Sequence, residues 1–272
     1  MAKRFIVLID FSEYSSHLLQ YVYAWSRRED AELLLLHQNL VIFPALVDAE
    51  VKQSIIRQAN ADALQQLKTL ASDHISQCPK LSFVVNEKPL PTLLSELLSE
   101  SYEHLIFLGL KGTGVLKKWF LGSVAVDVVE TVSDIIVALP KDAPMTVPET
   151  LFVGVKEAHP LNVPALQKLL THFCHLLPAI HFFTIAKPQD DRLTVERHLK
   201  SLVSRFSAQT MTTFSVYETG NTLDFIKEMI AHNPDVLMVI QKGSRMLKDH
   251  FMRQFLTNEL VYDGKLPLVI LP

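Results

Sequence analysis

The chemistry in this chain begins with its glycines. There are eight in all; residues 1–108 contain none, yet Gly109, Gly112, Gly114 and Gly122 fall close together. Glycine costs conformational entropy, and it is placed where positive φ or the close approach of another group demands a bare backbone. Freed N–H groups at Gly109 and Gly112 can converge on an anion. Ser123, next to Gly122, is a good N-cap at the positive end of a helix, and Lys111, Lys117 and Lys118 add cations in the same stretch. The combination suits a polyphosphate. Neither GxxxxGK[ST] nor GxGxxG occurs, so a Walker-type NTPase and a dinucleotide Rossmann site are both unsupported.

Positioning such a loop requires strands that end beside it. Phe5–Ile9, Leu33–Leu36, Leu81–Val85, Leu105–Leu108 and Ile135–Leu139 are continuous apolar runs, as expected for a parallel sheet covered on both faces. Between them the period is helical. Leu18, Tyr21, Val22 and Trp25 form one stripe; Ile56, Ala59, Ala63, Leu67 and Leu70 a second; Leu90, Leu93, Leu94, Leu97 and Leu98 a third; Ala125, Val128, Val129 and Val132 a fourth. Strict β, α succession predicts an open doubly wound α/β domain. With strand order 3-2-1-4-5, the winding reverses between the first and fourth strands, where clefts open. Asp10, at the end of the first, would then face Gly109 at the end of the fourth.

The same order runs again from Leu151. Strands are predicted at Leu151–Val155, Ile180–Ile185, Thr213–Val216, Val236–Ile240 and Leu268–Leu271, with helices near 161–175, 191–206, 222–232 and 254–262. The stretch 111–117 resembles 242–248, and Ala138-Leu139-Pro140 parallels Ile270-Leu271-Pro272. Two tandem copies, over 1–140 and 150–272, are the economical account. The stretch between them, with Pro144 and Pro148 and no hydrophobic period, reads as a linker.

Gly109-x2-Gly112-x9-Gly122-Ser123 resembles the G-x2-G-x9-G-[ST] signature of the nucleotide-binding universal stress proteins. Its context agrees. The run 5–12, Phe-Ile-Val-Leu-Ile-Asp-Phe-Ser, is similar to the family's opening strand with its Asp-x-Ser; Leu35-Leu36-His37 resembles the end of its second strand, and 136–140 its closing strand. The resemblance implies an adenine nucleotide α-hydrolase-like fold in each half, with five parallel strands ordered 3-2-1-4-5. It also implies an ATP site, or a site for another adenine nucleotide. Asp10 would lie near adenosine, Gly109, Lys111 and Gly112 along ribose and phosphates, and Gly122, Ser123 and Val124 around the phosphate chain. Two departures bear on adenine: Leu8-Ile9 stands where the family usually has Pro-Thr, and Gln38 where an apolar residue more often meets the base. The resemblance further implies a pseudo-dimer within the chain, pairing Ile135–Leu139 with Leu268–Leu271, and self-association as a homodimer.

The second half departs further. Aligned through Lys242-Gly243, the signature reads Ile240-x2-Gly243-x9-Arg253-Gln254, and Lys156 falls where the first half has Asp10. Bulk in the cradle predicts a copy that binds no ATP and serves a structural or regulatory role; the alternative is a different anion site of Lys156, Lys242, Arg245 and Arg253. His172, Cys174, His175 and His181 have metal-compatible types, but they flank an ordinary buried stripe, and no metal is assigned. No pair of carboxylates has acid–base spacing, and neither Ser12 nor Ser123 has a histidine base, so no catalytic residue is assigned and any ATP hydrolysis is expected to be slow.

Composition bounds the rest. The 272 residues are 49% hydrophobic and 20% charged, which excludes disorder and coiled coil for the whole. A net charge of −3, from 26 basic and 29 acidic side chains, gives no electrostatic reason to expect nucleic acid or an anionic membrane. Cys78 and Cys174 are too few for a disulfide framework and lie in no CxxC. The start has too short an apolar run for a signal peptide, and 31–47 is interrupted by polar residues. A cytoplasmic protein is expected: an ATP-binding stress-response sensor or regulator, or alternatively a nucleotide-free scaffold. Leu40–Val47 is expected to pack internally, the alternatives being packing over the base or against a partner.

Overall fold

A computed structural model of the chain describes residues 1–43, 48–76, 78–110, 123–156, 159–173, 177–186, 188, 190–218, 235–242 and 266–272. In chain order the elements of the first part are β1 (Ala2–Leu8), α1 (Ser15–Glu29), β2 (Glu32–Gln38), α2 (Ala49–His74), β3 (Leu81–Asn86), α3 (Leu90–Leu98), β4 (Tyr102–Leu110), α4 (Ser123–Thr131) and β5 (Ile136–Pro140). Then come β6 (Thr150–Gly154), α5 (Val163–Thr171), β7 (Ala179–Ala186), α6 (Arg192–Phe206), β8 (Thr212–Glu218), β9 (Val236–Gln241) and β10 (Leu268–Leu271). The helices predicted at 222–232 and 254–262 lie outside the described residues.

By contacts the described chain divides into two units: Met1–Gly109 with 123–132, and Leu110 with Ser133–Pro272. In the first unit β1 is bonded in parallel to β2 on one side and to β4 on the other, while β3 extends β2, also in parallel. The order β3-β2-β1-β4 fills the first four places of the expected 3-2-1-4-5. Right-handed crossovers then put α1 and α2 on one face and α3 and α4 on the other. The packing follows suit: α1 lies on α2 and α3 on α4.

An aromatic cluster holds this unit together. The rings of Phe5, Trp25 and Phe107 are fully buried, with centroids 5.7 Å apart for Phe5–Trp25, 5.1 Å for Phe5–Phe107 and 5.5 Å for Trp25–Phe107. They fasten α1 to the two central strands. The N-terminal ends of those strands are closed by charge: Arg4 bonds Glu32 at 3.1 Å and Glu100 at 2.6 Å and lies over the Tyr102 ring, while Lys3 meets the buried Glu29 at 3.1 Å. Only the opposite, C-terminal, ends are left for a cleft.

The helix α2 is longer than its stripe predicts. Asp48 caps it, accepting from the Val51 N–H at 2.9 Å. Only Ala63, Leu67 and Ala71 are buried along it; Ile56, Ala59 and Leu70 are half-buried, so the stripe overstated the core. Leu40 and Ile42 are 73% and 93% exposed, against the expectation of internal packing; residues 44–47 lie outside the described ones.

The second unit contains β8-β7-β6-β9-β10, the third, second, first, fourth and fifth strands of the second half. The first three neighbouring pairs and β9–β10 are parallel. The order 3-2-1-4-5 is therefore complete here among the described strands. The strand β5 belongs to this unit by contacts, because it pairs antiparallel with β10, Val137 against Val269 and Ala138 against Leu268. Between β5 and β6 no regular element forms, yet Ala143 is buried and the Glu149 N–H bonds the Asp235 carbonyl at 2.9 Å. Phe107→Ala is expected to cost ~3–5 kcal/mol, the range for deleting a large buried aromatic ring, seen as a lower midpoint in urea unfolding followed by far-UV circular dichroism.

Candidate functional site

The register of β1 on β4 runs to Val7 opposite Phe107. Two residues further on, Ile9 is level with Gly109, and Asp10 emerges just past it. The Ile9 N–H still bonds the Leu36 carbonyl at 2.9 Å, so β1 stays anchored to β2 up to the point where Asp10 leaves the sheet. Asp10 is exposed. Its Oδ1 accepts from the Ser12 N–H at 3.0 Å and from the Ser15 hydroxyl at 3.1 Å, a turn that starts α1.

Between those two anchors Phe11 takes φ 55°. Left-handed backbone costs a side-chain-bearing residue ~1–2 kcal/mol. The ring packs against His37 at the end of β2, with centroids 4.4 Å apart and planes at 45°. His37 is fixed in turn, its Nδ1 2.8 Å from the Ile9 carbonyl. A carbonyl only accepts, so Nδ1 carries the proton. The ring pair therefore spans the C-terminal ends of β1 and β2.

Gly109 carries the second half of the site. Its φ lies outside the left-handed region, and a Cβ built there meets only Leu18 Cδ2, at 3.9 Å. Among the described residues neither backbone angle nor crowding requires glycine at 109. Gly109 thus leaves the end of β4 level with Ile9 without a side chain. The helix α4 begins at Ser123 itself, so Ser123 is its first helical residue and not the N-cap expected from the sequence. The side chains of Ser123 and Val124, together with Lys111, Gly112 and Gly122, lie outside the described residues.

Gln38 ends β2 opposite Asn86 of β3. It is half-buried on the side of β1 away from β4. Next to it, an amide chain missed by motif reasoning stiffens the rim: the Asn39 N–H bonds the Asn86 carbonyl at 2.8 Å, Asn39 Nδ2 donates to Asn60 Oδ1 at 3.1 Å, and Asn60 Nδ2 donates to Glu87 Oε2 at 3.3 Å. Asn39 and Asn60 are recognisable only once β2 and α2 are placed side by side.

The second half offers the same positions with different contents. The Val155 N–H bonds the Phe183 carbonyl at 2.8 Å as Ile9 does with Leu36, so Lys156 is the counterpart of Asp10. The register Val153 opposite Val239 then makes Gln241, not Ile240, the counterpart of Gly109. Anchoring the alignment on Lys242-Gly243 places it one residue away from the register that the strands show. The Gln241 amide is tied to the chain before α5. Its Oε1 accepts from the Asn162 N–H at 2.5 Å and its Nε2 donates to the Pro160 carbonyl at 3.1 Å. Asn162 also caps α5, accepting from the Ala165 N–H at 3.1 Å, and donates to the Pro272 carbonyl at 3.0 Å. Lys156 and Lys242 are half-buried, whereas Arg245 and Arg253 lie outside the described residues.

Of the metal-compatible residues, His172 is buried at the end of α5, and Cys174 and His175 lie outside the described residues. His181 faces Thr213 Oγ1 at 2.8 Å and stacks on Phe152. Among the described residues no three His, Cys, Asp or Glu side chains form a metal-holding group. Nor is any helix among them long and apolar enough to cross a membrane.

Comparison with known proteins settles the family. The universal stress protein family model matches residues 1–136. The chain belongs to the universal stress protein family. That membership places it in stress response. Among solved structures, a universal stress protein from Archaeoglobus fulgidus DSM 4304 is 12% identical over 98% of this chain and 97% of that one, with a TM-score of 0.64. A functionally unknown protein from Pseudomonas aeruginosa PAO1 is 15% identical over 99% and 92%, with a TM-score of 0.53. At such identities these relatives show the fold alone. No curated protein matches the chain.

Burial holds the His181 imidazole below its ordinary value of 6.5. The unfolded chain therefore takes up this proton first as pH falls, and stability declines below about pH 6.5. His181→Gln is expected to flatten the loss of stability between about pH 6.5 and 5, measured as urea midpoints across that window.

Proposed function

We propose that the N-terminal half of this universal stress protein holds ATP, or another adenine nucleotide, at the C-terminal ends of β1 and β4. The protein then acts in the cytoplasm as a nucleotide-linked sensor or regulator of the stress response, without strong catalytic activity. Gly109 carries this reading: a bare strand edge that the described fold does not itself require, standing first in a G-x2-G-x9-G-S spacing whose last residue starts α4. Backbone N–H groups and a helix N-terminus favour phosphate. Asp10, an acceptor, repels phosphate and suits the ribose hydroxyls. Lys111 neutralises part of the phosphate charge, Gly112 and Gly122 keep the loop free of side-chain bulk, Ser123 and Val124 meet the phosphate chain, and Gln38 lies toward the base.

The second half is a degenerate tandem copy, closed by Gln241, that pairs with the first as an intramolecular pseudo-dimer through β5 and β10; homodimers can form from the same kind of unit. One observation favours the rival reading of a nucleotide-free scaffold: Asp10 Oδ1 already serves the turn that starts α1. Calorimetry separates the two. ATP is expected to bind the wild type, to lose detectable binding in Gly122→Val, and to bind Ser123→Ala roughly tenfold more weakly, the size of one hydrogen bond to a charged group. A wild type that takes up no ATP establishes the scaffold instead.

A further inference from the structure

The helix α2 is 26 residues long, yet its first buried residue is Ala63. The stretch before it, 49–62, is roughly 20 Å of helix at 1.5 Å per residue without one fully buried side chain. A helix of that length is marginal in water by itself, because helices in proteins draw most of their stability from packing an apolar face. Half-buried Ile56 and Ala59 continue the inner face of Ala63, Leu67 and Ala71. Val51 and Ile55 do not. They stand about 140° around the helix from that face, at 3.6 residues per turn, and are 46% and 38% exposed. The apolar surface continues nearby. Leu40 and Ile42 are also exposed, and Asn39, next to Leu40, is held against α2 by its bond to Asn60.

Charge says what covers this stripe. Glu50 and Arg57 are exposed and seven residues apart, about two turns, so they share one flank of the stripe. Neither pairs with an opposite charge among the described residues; Arg57 donates Nε to the Gln53 carbonyl at 3.3 Å and keeps its other N–H donors. The stripe is therefore acidic at one end, apolar in the middle and basic at the other, which makes it complementary to itself reversed. We propose that it is an interface with a second copy of this chain, in which two α2 helices lie antiparallel about a two-fold axis. With the axis between residues 53 and 54, Glu50 of each copy stands level with Arg57 of the other, and each Ile55 falls between Val51 and Ile55 opposite. Such a contact closes on itself. A parallel arrangement would set Glu50 against Glu50 and Arg57 against Arg57, so the charges fix the direction. Asp48 and Glu50 at the apolar end disfavour an anionic lipid surface. The edges of β5 and β10 are bonded to each other within the chain, so self-association calls for another surface. The inference rests on the homodimer proposed above and names its interface; the nucleotide reading stands or falls separately.

The test is sedimentation velocity of the full chain, without nucleotide, over a range of protein concentrations. The wild type is expected to show a monomer–dimer equilibrium. Ile55→Lys is expected to raise the dimer Kd at least tenfold with an unchanged far-UV circular dichroism spectrum, since the position is already partly exposed. Arg57→Glu alone is expected to weaken the dimer roughly tenfold by facing Glu50 with a like charge, and adding Glu50→Arg to restore it to within a few-fold of wild type. A wild type that stays monomeric throughout overturns the interface and the homodimer together. A dimer of unchanged Kd in Ile55→Lys overturns the interface and leaves a homodimer through some other face. A double variant no tighter than Arg57→Glu overturns the antiparallel pairing. Flotation of the wild type, but not of Ile55→Lys, with phosphatidylcholine vesicles assigns the stripe to lipid and overturns the proposal as well.

Discussion

Everything at the candidate site depends on β1 being hydrogen-bonded on both sides. With β2 to one side and β4 to the other, the chain must reverse its winding across this strand, and the helices that cover it part onto opposite faces. The bonding of β1 to β2 continues to the Ile9 N–H, which meets the Leu36 carbonyl. The Phe5, Trp25 and Phe107 rings and the Arg4 and Lys3 ion pairs secure the same strand from within and from its other end. The topology therefore sets the end of β1, with Asp10, beside Gly109 near the end of β4.

The second half makes the point by contrast. Its strand order is the same and its β6 is anchored by the equivalent hydrogen bond, from Val155 to Phe183. At the level of Gly109 it has Gln241, and one amide there satisfies a backbone donor and a backbone acceptor of the loop before α5. A loop whose polar groups are already paired has little to offer an anion. The same strand order thus carries Gly109 at this level in one half and a hydrogen-bonded Gln241 in the other.

Much of this was legible in the sequence. Strands covered on both faces are continuous apolar runs, so β2, β5 and β10 stand out at once; β1 and β4 start earlier than their apolar runs because Lys3, Arg4, Glu103 and His104 continue the ladder as polar residues. The long α2 was partly hidden, since its first turns carry Val51 and Ile55 to solvent and the period there has no core to report on. Asp10 and Gly109 were legible from spacing. The turn at Phe11 was not: it shows as a positive φ and a ring contact with His37, 26 residues away in sequence, which no local pattern encodes. Gln241 was missed by one position, because hydrogen-bond register, not loop similarity, decides which residues stand level.

The central claim is an asymmetry: one half of the chain accepts nucleotide and its counterpart does not. Native mass spectrometry of the intact protein titrated with ATP reads that directly. A single added mass of one nucleotide per chain, saturating without a second, is the predicted result. Two equivalent additions, or none, contradict the account.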